Sequence, residues 1–523
     1  MIDTEQLEGL DNKQLRTVVH SLLGELSAKD AEIARREREL AFKQSTIDKL
    51  THEMAVLKRL KFAAKSEAFD AEQRSLLEET IDADLQALAR ELEDLAPAQN
   101  QADKRQPKRQ VLPAQLPRRE VRHEPENTTC ACGCTLQRIG EDVSEKLDYQ
   151  PGIFTVERHI RGKWVCTKCE TLIQAPVPAH VIDKGLPTAG LLAQVLVAKY
   201  ADHLPLYCQE GIFERAGLAI ARSTLAQWVG ACGVQLQPLV DALKAELLTH
   251  SVLHADETPV AMLSPGAGKT HRAYLWSYGT SAYEATKAVV YDFADSRAGR
   301  HAQEFFGLPG NSGWRGKLVC DDYAGYKALF AQGITEAGCL AHARRKFHDL
   351  WANHRSRIAG QALELFAKLY AVEREVRDLD ADERRRIRQL NAKPLADKLH
   401  EWLRLQRQKV PEGSATAKAI DYSLGRWAAL TRYLDDATLP ADNNRIENQI
   451  RPIALGRNNW LFAGSLRAGR RTAAIMSLIQ SARLNGHDAY AYLKDVLERL
   501  PTQPASRIGE LLPHRWRPTS AAT

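Results

Sequence analysis

Apolar residues in the first hundred positions recur at a helical period. Val19, Leu26, Ile33, Leu40, Ile47 and Met54 follow one another at intervals of seven, and three residues after each stand Leu22, Lys29, Arg36, Lys43, Leu50 and Leu57. No Pro or Gly interrupts residues 25–64, so one helix ~60 Å long is expected at 1.5 Å per residue. The seam is apolar at both ends and cationic in the middle. It predicts a coiled coil that pairs two subunits, against the alternative of a long helix packed on its own chain. A second helical stretch over residues 70–95 completes a helical coiled-coil region, residues 1–95.

The period then disappears. Residues 96–129 are rich in Pro and Gln and carry Lys104, Arg105, Lys108, Arg109, Arg118, Arg119 and Arg122, the composition of a basic disordered linker. Such a tether either solubilises or adds non-specific phosphate contacts. Residues 130–180 hold a cysteine cluster. Cys166 and Cys169 form a C-x-x-C knuckle, and Cys130, Cys132 and Cys134 lie upstream. Four of the five are expected to hold a structural Zn²⁺, and the upstream two stay open. Between the halves, residues 146–164 alternate as a short hairpin does, with Ile153, Thr155 and Glu157 set against Phe154, Val156 and Arg158. Residues 181–250 return to a helical pattern. Within them residues 206–216, a turn at Gly217, and a second helix capped by Ser223 read as a helix-turn-helix. Arg222, Thr224 and Gln227 would point outward to DNA; an ordinary helical hairpin is the bland alternative.

Strand patterns follow in residues 252–260, 273–279 and 288–293, then a helix over 298–306 and a strand over 317–320. Asp256 interrupts an apolar run in His254-Ala-Asp256-Glu257-Thr258, where a buried acid is costly unless something satisfies it. Asp321 ends the fourth strand, in Val319-Cys-Asp321-Asp322-Tyr323, and strand ends are where ligands collect in α/β sheets. Glu447 lies in Asp442-Asn-Asn-Arg-Ile-Glu447-Asn-Gln-Ile-Arg451-Pro, sharing a helix face with Arg451. Three carboxylates brought together repel one another, and divalent cations relieve that repulsion. Mg²⁺ or Mn²⁺ suits such an all-oxygen site and the two-ion displacement of a phosphodiester. The expected layout is a first part of an α/β core over residues 251–345, a helical insertion over 346–440, a second part over 441–485 and a C-terminal tail region over 486–523.

Composition changes this picture little. The chain of 523 residues is 44% hydrophobic and 26% charged, and its net charge of +6 permits a nucleic-acid partner without demanding one. Asp3, Glu5 and Glu8 stand where a secretory leader needs a basic and then apolar start, and no apolar run reaches membrane-spanning length. A cytoplasmic protein without a membrane partner, nucleoid-associated when acting, is expected.

The runs Leu253-His-Ala-Asp256-Glu-Thr-Pro-Val260, Cys320-Asp321-Asp-Tyr-Ala-Gly-Tyr326 and Leu340-Ala-His-Ala-Arg-Arg-Lys-Phe347 resemble the insertion-sequence-66 family of bacterial transposases. So do Asp442-Asn-Asn444, Glu447, Arg451-Pro, Leu455-Gly-Arg457, Trp460-Leu-Phe-Ala-Gly464 and the closing Glu510-Leu-Leu-Pro513. The resemblance implies a DDE transposase of ribonuclease-H-like fold with a helical insertion before the glutamate. Asp256, Asp321 and Glu447 are then the catalytic acids, with Glu257 and Asp322 supporting or surface groups. It further implies binding to terminal inverted repeats and target DNA, and companion proteins encoded in the same element. Asp322 stands where the family usually has Gly, Asn448 where it usually has Arg, and the family often has Lys at Asn459 or its neighbour. The basic helix face with His342, Arg344, Arg345 and Lys346 is a candidate phosphate holder. Arg457 and Trp460 resemble a DNA-end contact pair, with core packing as the alternative for Trp460. Two other readings are a DNA-binding relative without catalysis and a nuclease of the same fold that only hydrolyses.

Overall fold

The computed structural model describes residues 12–63, 71–95, 112–125, 129, 134–150, 152–182, 185–264, 269–308, 313–460 and 462–518. Helix α1 (Asn12–Ala63) is the long helix the heptads predict, unbroken over 52 residues. Leu50 and Leu57 are buried, whereas Leu26, Ile33 and Leu40 are more than half exposed. Two of the three cationic seam residues pair within the helix, Arg36 with Glu32 at 2.7 Å and Lys43 with Glu39 at 3.1 Å. Helix α2 (Ala71–Leu95) follows. The chain divides into two compact units, residues 1–65 with 88–108, and residues 66–87 with 109–523.

In the second unit, Glu79 and Asp84 of α2 are buried charges, and each finds a cation. Glu79 pairs with Lys199, and Asp84 accepts from Arg471 Nη1 at 2.9 Å and from the Ser465 hydroxyl.

The basic stretch read as a linker is partly a strand. Beyond residue 111 it forms β1 (Arg118–His123), paired in parallel with β3 (Ile153–Val165), while residues 96–111 lie outside the described residues. Arg118 is an internal strut, donating to Glu145 at 3.0 Å and to the carbonyls of Pro113, Ala114 and Leu116. Its partner strand lies far along the chain, so no local signal marked it. The hairpin of β2 (Gln137–Gln150) with β3 is longer than expected and turns at Gly152, whose φ of +87° suits glycine. Strand β4 (Leu172–Gln174) adds to β3.

Helices α3 (Ala189–Tyr200), α4 (Leu206–Arg215) and α5 (Arg222–Leu247) come next. The residue before α5 is Ala221, so Ser223 is inside the helix and is not its cap; the Glu210 carboxylate receives the first amide, from Arg222, at 2.9 Å. A Cβ on Gly230 of α5 would come within 2.2 Å of the Ala83 carbonyl, so α5 and α2 touch backbone to backbone there.

The central sheet is built from β5 (Val252–Ser264), β6 (Lys269–Thr280), β7 (Val289–Ala294), β8 (Lys317–Cys320) and β9 (Thr335–Gly338). Its order is β7-β6-β5-β8-β9, with β5, β6 and β7 antiparallel and β5, β8 and β9 parallel. Helices α6 (Arg300–Phe305) and α7 (Lys327–Ala331) occupy the connections before β8 and β9. A helical block follows: α8 (Leu340–His354), α9 (Arg357–Val376), α10 (Ala381–Ile387), a π-helical turn over Arg388–Ala392, α11 (Lys393–Arg407), α12 (Ala415–Gly425) and α13 (Trp427–Asp435). It has a core of its own around Phe347, Phe366, Leu399, Ile420 and Leu430. Buried Arg388 ties it together, donating to Glu373 at 2.9 and 2.7 Å and to the carbonyls of Tyr433 and Leu439.

The chain then returns to the sheet with α14 (Asn444–Trp460), α15 (Leu466–Leu484) and α16 (Ala489–Arg499). Helix α15 lies along edge strand β7. The Ser477 and Ser481 hydroxyls accept from the amides of Tyr291 at 2.8 Å and Val289 at 3.0 Å, which satisfies backbone donors that an open edge would leave free. Among the described residues no helix is long and apolar enough to cross a membrane.

Candidate active site

His254 of β5 pairs with Val319 of β8, and Asp256 and Asp321 each lie two residues further along. Parallel register therefore brings the two acids out at the same level of the sheet, Asp321 immediately after its strand ends. Glu447 comes from the first turn of α14, and Asn443 fixes that turn against β5. Asn443 is fully buried; its Nδ2 donates to the Ala255 carbonyl at 2.9 Å and its Oδ1 meets His254 Nδ1 at 2.7 Å. Its own carbonyl accepts from the amides of Ile446 at 3.1 Å and Glu447 at 3.3 Å. Asp442 caps the same corner, accepting from the amide of Asn444 at 3.1 Å and its side chain at 2.9 Å.

The electrostatics follow from burial. Asp256 is pushed well above the usual carboxylate range, first by burial and then by the charges of Glu257, Asp321 and Glu447, against one amide bond from Glu257. Burial lowers His254 to about 4, so its ring is neutral at pH 7 and acts as a neighbour holding Asn443. Glu447 is held by Arg345 Nη2 at 3.1 Å, with His342 Nδ1 at 3.6 Å. Asp321 and Glu447 are near enough to act on Asp256, yet the three carboxylates are not gathered as tightly as ligands around an ion. Among the described residues, the group of such side chains whose ligand atoms all lie within 4.8 Å is Cys339, His342 and Glu447.

The two neighbouring acids separate clearly from their partners. Asp322 pairs with Lys327 at 2.9 Å and with Arg426; despite burial, these cations hold it below the usual range. Glu257 is a buried group and no surface acid: it accepts from Arg297 Nε at 2.8 Å and from the Tyr326 hydroxyl at 2.7 Å. Burial nevertheless raises it.

The expected DNA contacts sort into two sets. Arg344, Arg345 and Lys346 are exposed on α8, and Arg451 is exposed on α14. Arg344 and Arg345 line a groove of about 490 Å³ with His348, Tyr370, Arg374 and Asn444, beside Glu447. Lys346 Nζ also sits 4.4 Å over the Tyr422 ring. Gln227 is exposed near the start of α5, and Arg222 and Thr224 are half-buried. Arg457 and Trp460, by contrast, are half-buried. Arg457 donates to the Pro259 carbonyl at 2.8 Å, and Trp460 packs on the main core beside His203.

Sequence reasoning assigned no role to Asn443, Arg297, Tyr326, Arg374 or Cys339. Of these, Asn443 and Tyr326 lie inside the runs Asp442-Asn-Asn444 and Cys320-Asp321-Asp-Tyr-Ala-Gly-Tyr326, but nothing local in either run tells what the side chain holds.

In the cysteine module, Cys130 and Cys132 lie outside the described residues. Cys134 and Cys166 pack with Leu136, Trp164 and Ile173. The C-x-x-C turn closes with the Glu170 amide on the Cys166 carbonyl at 2.8 Å and the Cys166 amide on the Thr171 carbonyl at 3.0 Å.

A family model described as the transposase IS66 family matches residues 184–471, which takes in the sheet, all three acids and the helical block. The chain belongs to the IS66 transposase family. The IS66 C-terminal element matches residues 477–514, and the zinc-finger binding domain of transposase IS66 matches residues 127–170. A model described as transposase C of IS166 homeodomain matches residues 49–121. Among relatives, uncharacterized protein y4qI of Sinorhizobium fredii is 37% identical over 515 residues, 94% of this chain and 93% of that one. Uncharacterized protein y4jD of the same organism is 38% identical over 422 residues, 78% of this chain and 81% of the relative. As an IS66 transposase with a zinc-finger domain, the chain has DNA as its partner.

Proposed function

We propose that this IS66 transposase cleaves and rejoins DNA at the ends of its element through Asp256, Asp321 and Glu447. The observation that carries the reading is the convergence of two strand acids in parallel register with a helix glutamate stitched to the same strand by Asn443. The sheet order, three antiparallel strands followed by two parallel ones, is what a ribonuclease-H-like core requires. The donor set is all oxygen, and Asp256 is surrounded by negative charge, which fits a hard divalent cation such as Mg²⁺ or Mn²⁺. Such ions would be held by the three acids and would supply an activated attacking oxygen and stabilisation of the leaving one.

The protein's share is placement and charge. Asn443 and His254 hold the corner that carries Glu447. Arg345, with Arg344, His348 and Arg374 along the groove, would bind backbone phosphates next to the acids. The first turn of α5, with Arg222, Thr224 and Gln227, is the proposed reader of the terminal inverted repeats, and the homeodomain-like match upstream supports DNA contact by the N-terminal part. Four of the five cysteines would hold a structural Zn²⁺. Leu26, Ile33 and Leu40 form an apolar stripe on which a second copy would pair as a coiled coil. Companion proteins of the same element, and action at the nucleoid in the cytoplasm, complete the proposal.

The test uses purified protein with Mg²⁺ or Mn²⁺ on DNA bearing the element's ends, beside Asp256→Ala and Glu447→Gln. Cleavage and joining in the wild type, lost in both variants, is the expected result. Hydrolysis without joining would leave a nuclease of the same fold. Specific binding without cleavage, companion proteins included, would leave an inactive relative.

A further inference from the structure

Glu447 has a second set of neighbours that the acid site does not use. Cys339 immediately precedes α8 and His342 is three residues on, a Cys-x-x-His spacing that puts sulfur and imidazole on one side of the helix start. The ligand atoms of Cys339, His342 and Glu447 all lie within 4.8 Å of one another. His342 Nδ1 and Glu447 Oε1 are buried atoms without a hydrogen-bond partner, 3.6 Å apart. Buried polar atoms left unsatisfied in a native fold call for an explanation. The side chains of His342 and Glu447 are 25% and 23% exposed, so an ion has a way in. From the far side the Asn443 amide points at Cys339 Sγ at 3.1 Å, a donor suited to a thiolate.

The chemistry of this set differs from that of the three acids. One sulfur, one nitrogen and one oxygen suit zinc and its borderline-soft relatives, whereas Mg²⁺ demands oxygen. A thiolate and a carboxylate together balance a divalent charge, with the imidazole neutral. Three protein ligands leave a tetrahedral ion one position for water.

We propose that Cys339, His342 and Glu447 bind a single thiophilic divalent cation of the zinc class, and that its binding withholds Glu447 from Asp256 and Asp321. The inference rests on Glu447 being one of the catalytic acids. Binding breaks the Cys339 S–H bond and forms a sulfur–metal bond; the proton leaves to solvent and no electron is transferred. A zinc-class ion is then an inhibitor that competes with Mg²⁺ for one shared carboxylate.

The test titrates the full-length, zinc-loaded protein with Co²⁺ and reads thiolate-to-cobalt charge-transfer absorption in the near ultraviolet. Wild type should take up one Co²⁺ beyond the zinc of the cysteine module and show the band. Cys339→Ala and His342→Gln should both lose it, and Asp256→Asn should keep it. Absence of the band in wild type, or its persistence in Cys339→Ala, overturns the proposal, the latter by placing the signal on other thiols. Circular dichroism checks each fold; should Cys339→Ala be misfolded, the band in His342→Gln decides alone. The readout needs no DNA. Loss of Mg²⁺-dependent cleavage activity with an intact cobalt band would therefore count against the proposed function and not against this site.

Discussion

Asp321 and Asp322 share a peptide bond and have unlike surroundings. Asp322 is neutralised by Arg426 and Lys327, so its carboxylate is already in use as an ion-pair partner. Asp321 accepts one amide bond, from Tyr323 at 2.9 Å, and stands two residues past the register pair as Asp256 does, close enough for its charge to act on Asp256. Asp322→Gly should therefore retain metal-dependent cleavage, while Asp321→Asn should abolish it; equal loss in both would break the assignment. Asn443 acts one step removed. Removing a group that orients a ligand typically costs about 10–100-fold in metal affinity or activity. Asn443→Ala should lower cleavage by a factor of that order and raise the Mg²⁺ needed, and an unchanged Mg²⁺ requirement would show that the residue only stabilises the fold. The acids were legible because a carboxylate inside an apolar run, or at its end, stands out against its neighbours. Asn443 was not, because an asparagine in a polar run looks like any turn residue until its partner on β5 is known.

At the level of elements, the buried pair of Asp84 in α2 and Arg471 in α15 is a point of high stakes. Removing one partner of such a pair leaves an uncompensated buried charge, at a cost of about 3–5 kcal/mol. Arg471→Met should lower stability by that order in chemical denaturation, and Asp84→Leu added to it should recover part of the loss. Additive losses would show that the two side chains do not depend on each other. Sequence patterns located β5 to β8 well, because apolar runs bounded by turns mark strands. Strand β9 was missed, since Thr335-Glu-Ala-Gly338 has neither alternation nor an apolar run and is a strand only because β8 lies beside it. Strand β1 was hidden likewise, an arginine-rich segment given its conformation by β3.

For the whole molecule, the long helix and the cysteine module are the parts most open to test apart from the acids. Leu26, Ile33 and Leu40 remain exposed along α1 although they occupy the heptad seam. Replacing all three by Ser should reduce the mass seen in sedimentation to that of a single chain, with helical content little changed. An unaltered mass would place the subunit contact elsewhere. The order of long helix, cysteine module and central sheet along the chain was readable from shifts of period and composition. The arrangement around the acids was not, because it depends on strand register and on a helix that arrives only after the helical block.

The proposed function requires Asp256, Asp321 and Glu447 to share bound metal. The most direct measurement replaces Mg²⁺ with Fe²⁺ in the DNA-bound protein and maps where locally generated radicals cut the polypeptide. Scission next to all three acids, suppressed by excess Mg²⁺, is the predicted result. Cuts confined to the neighbourhood of Cys339 and His342, or cuts that Mg²⁺ does not suppress, would contradict it.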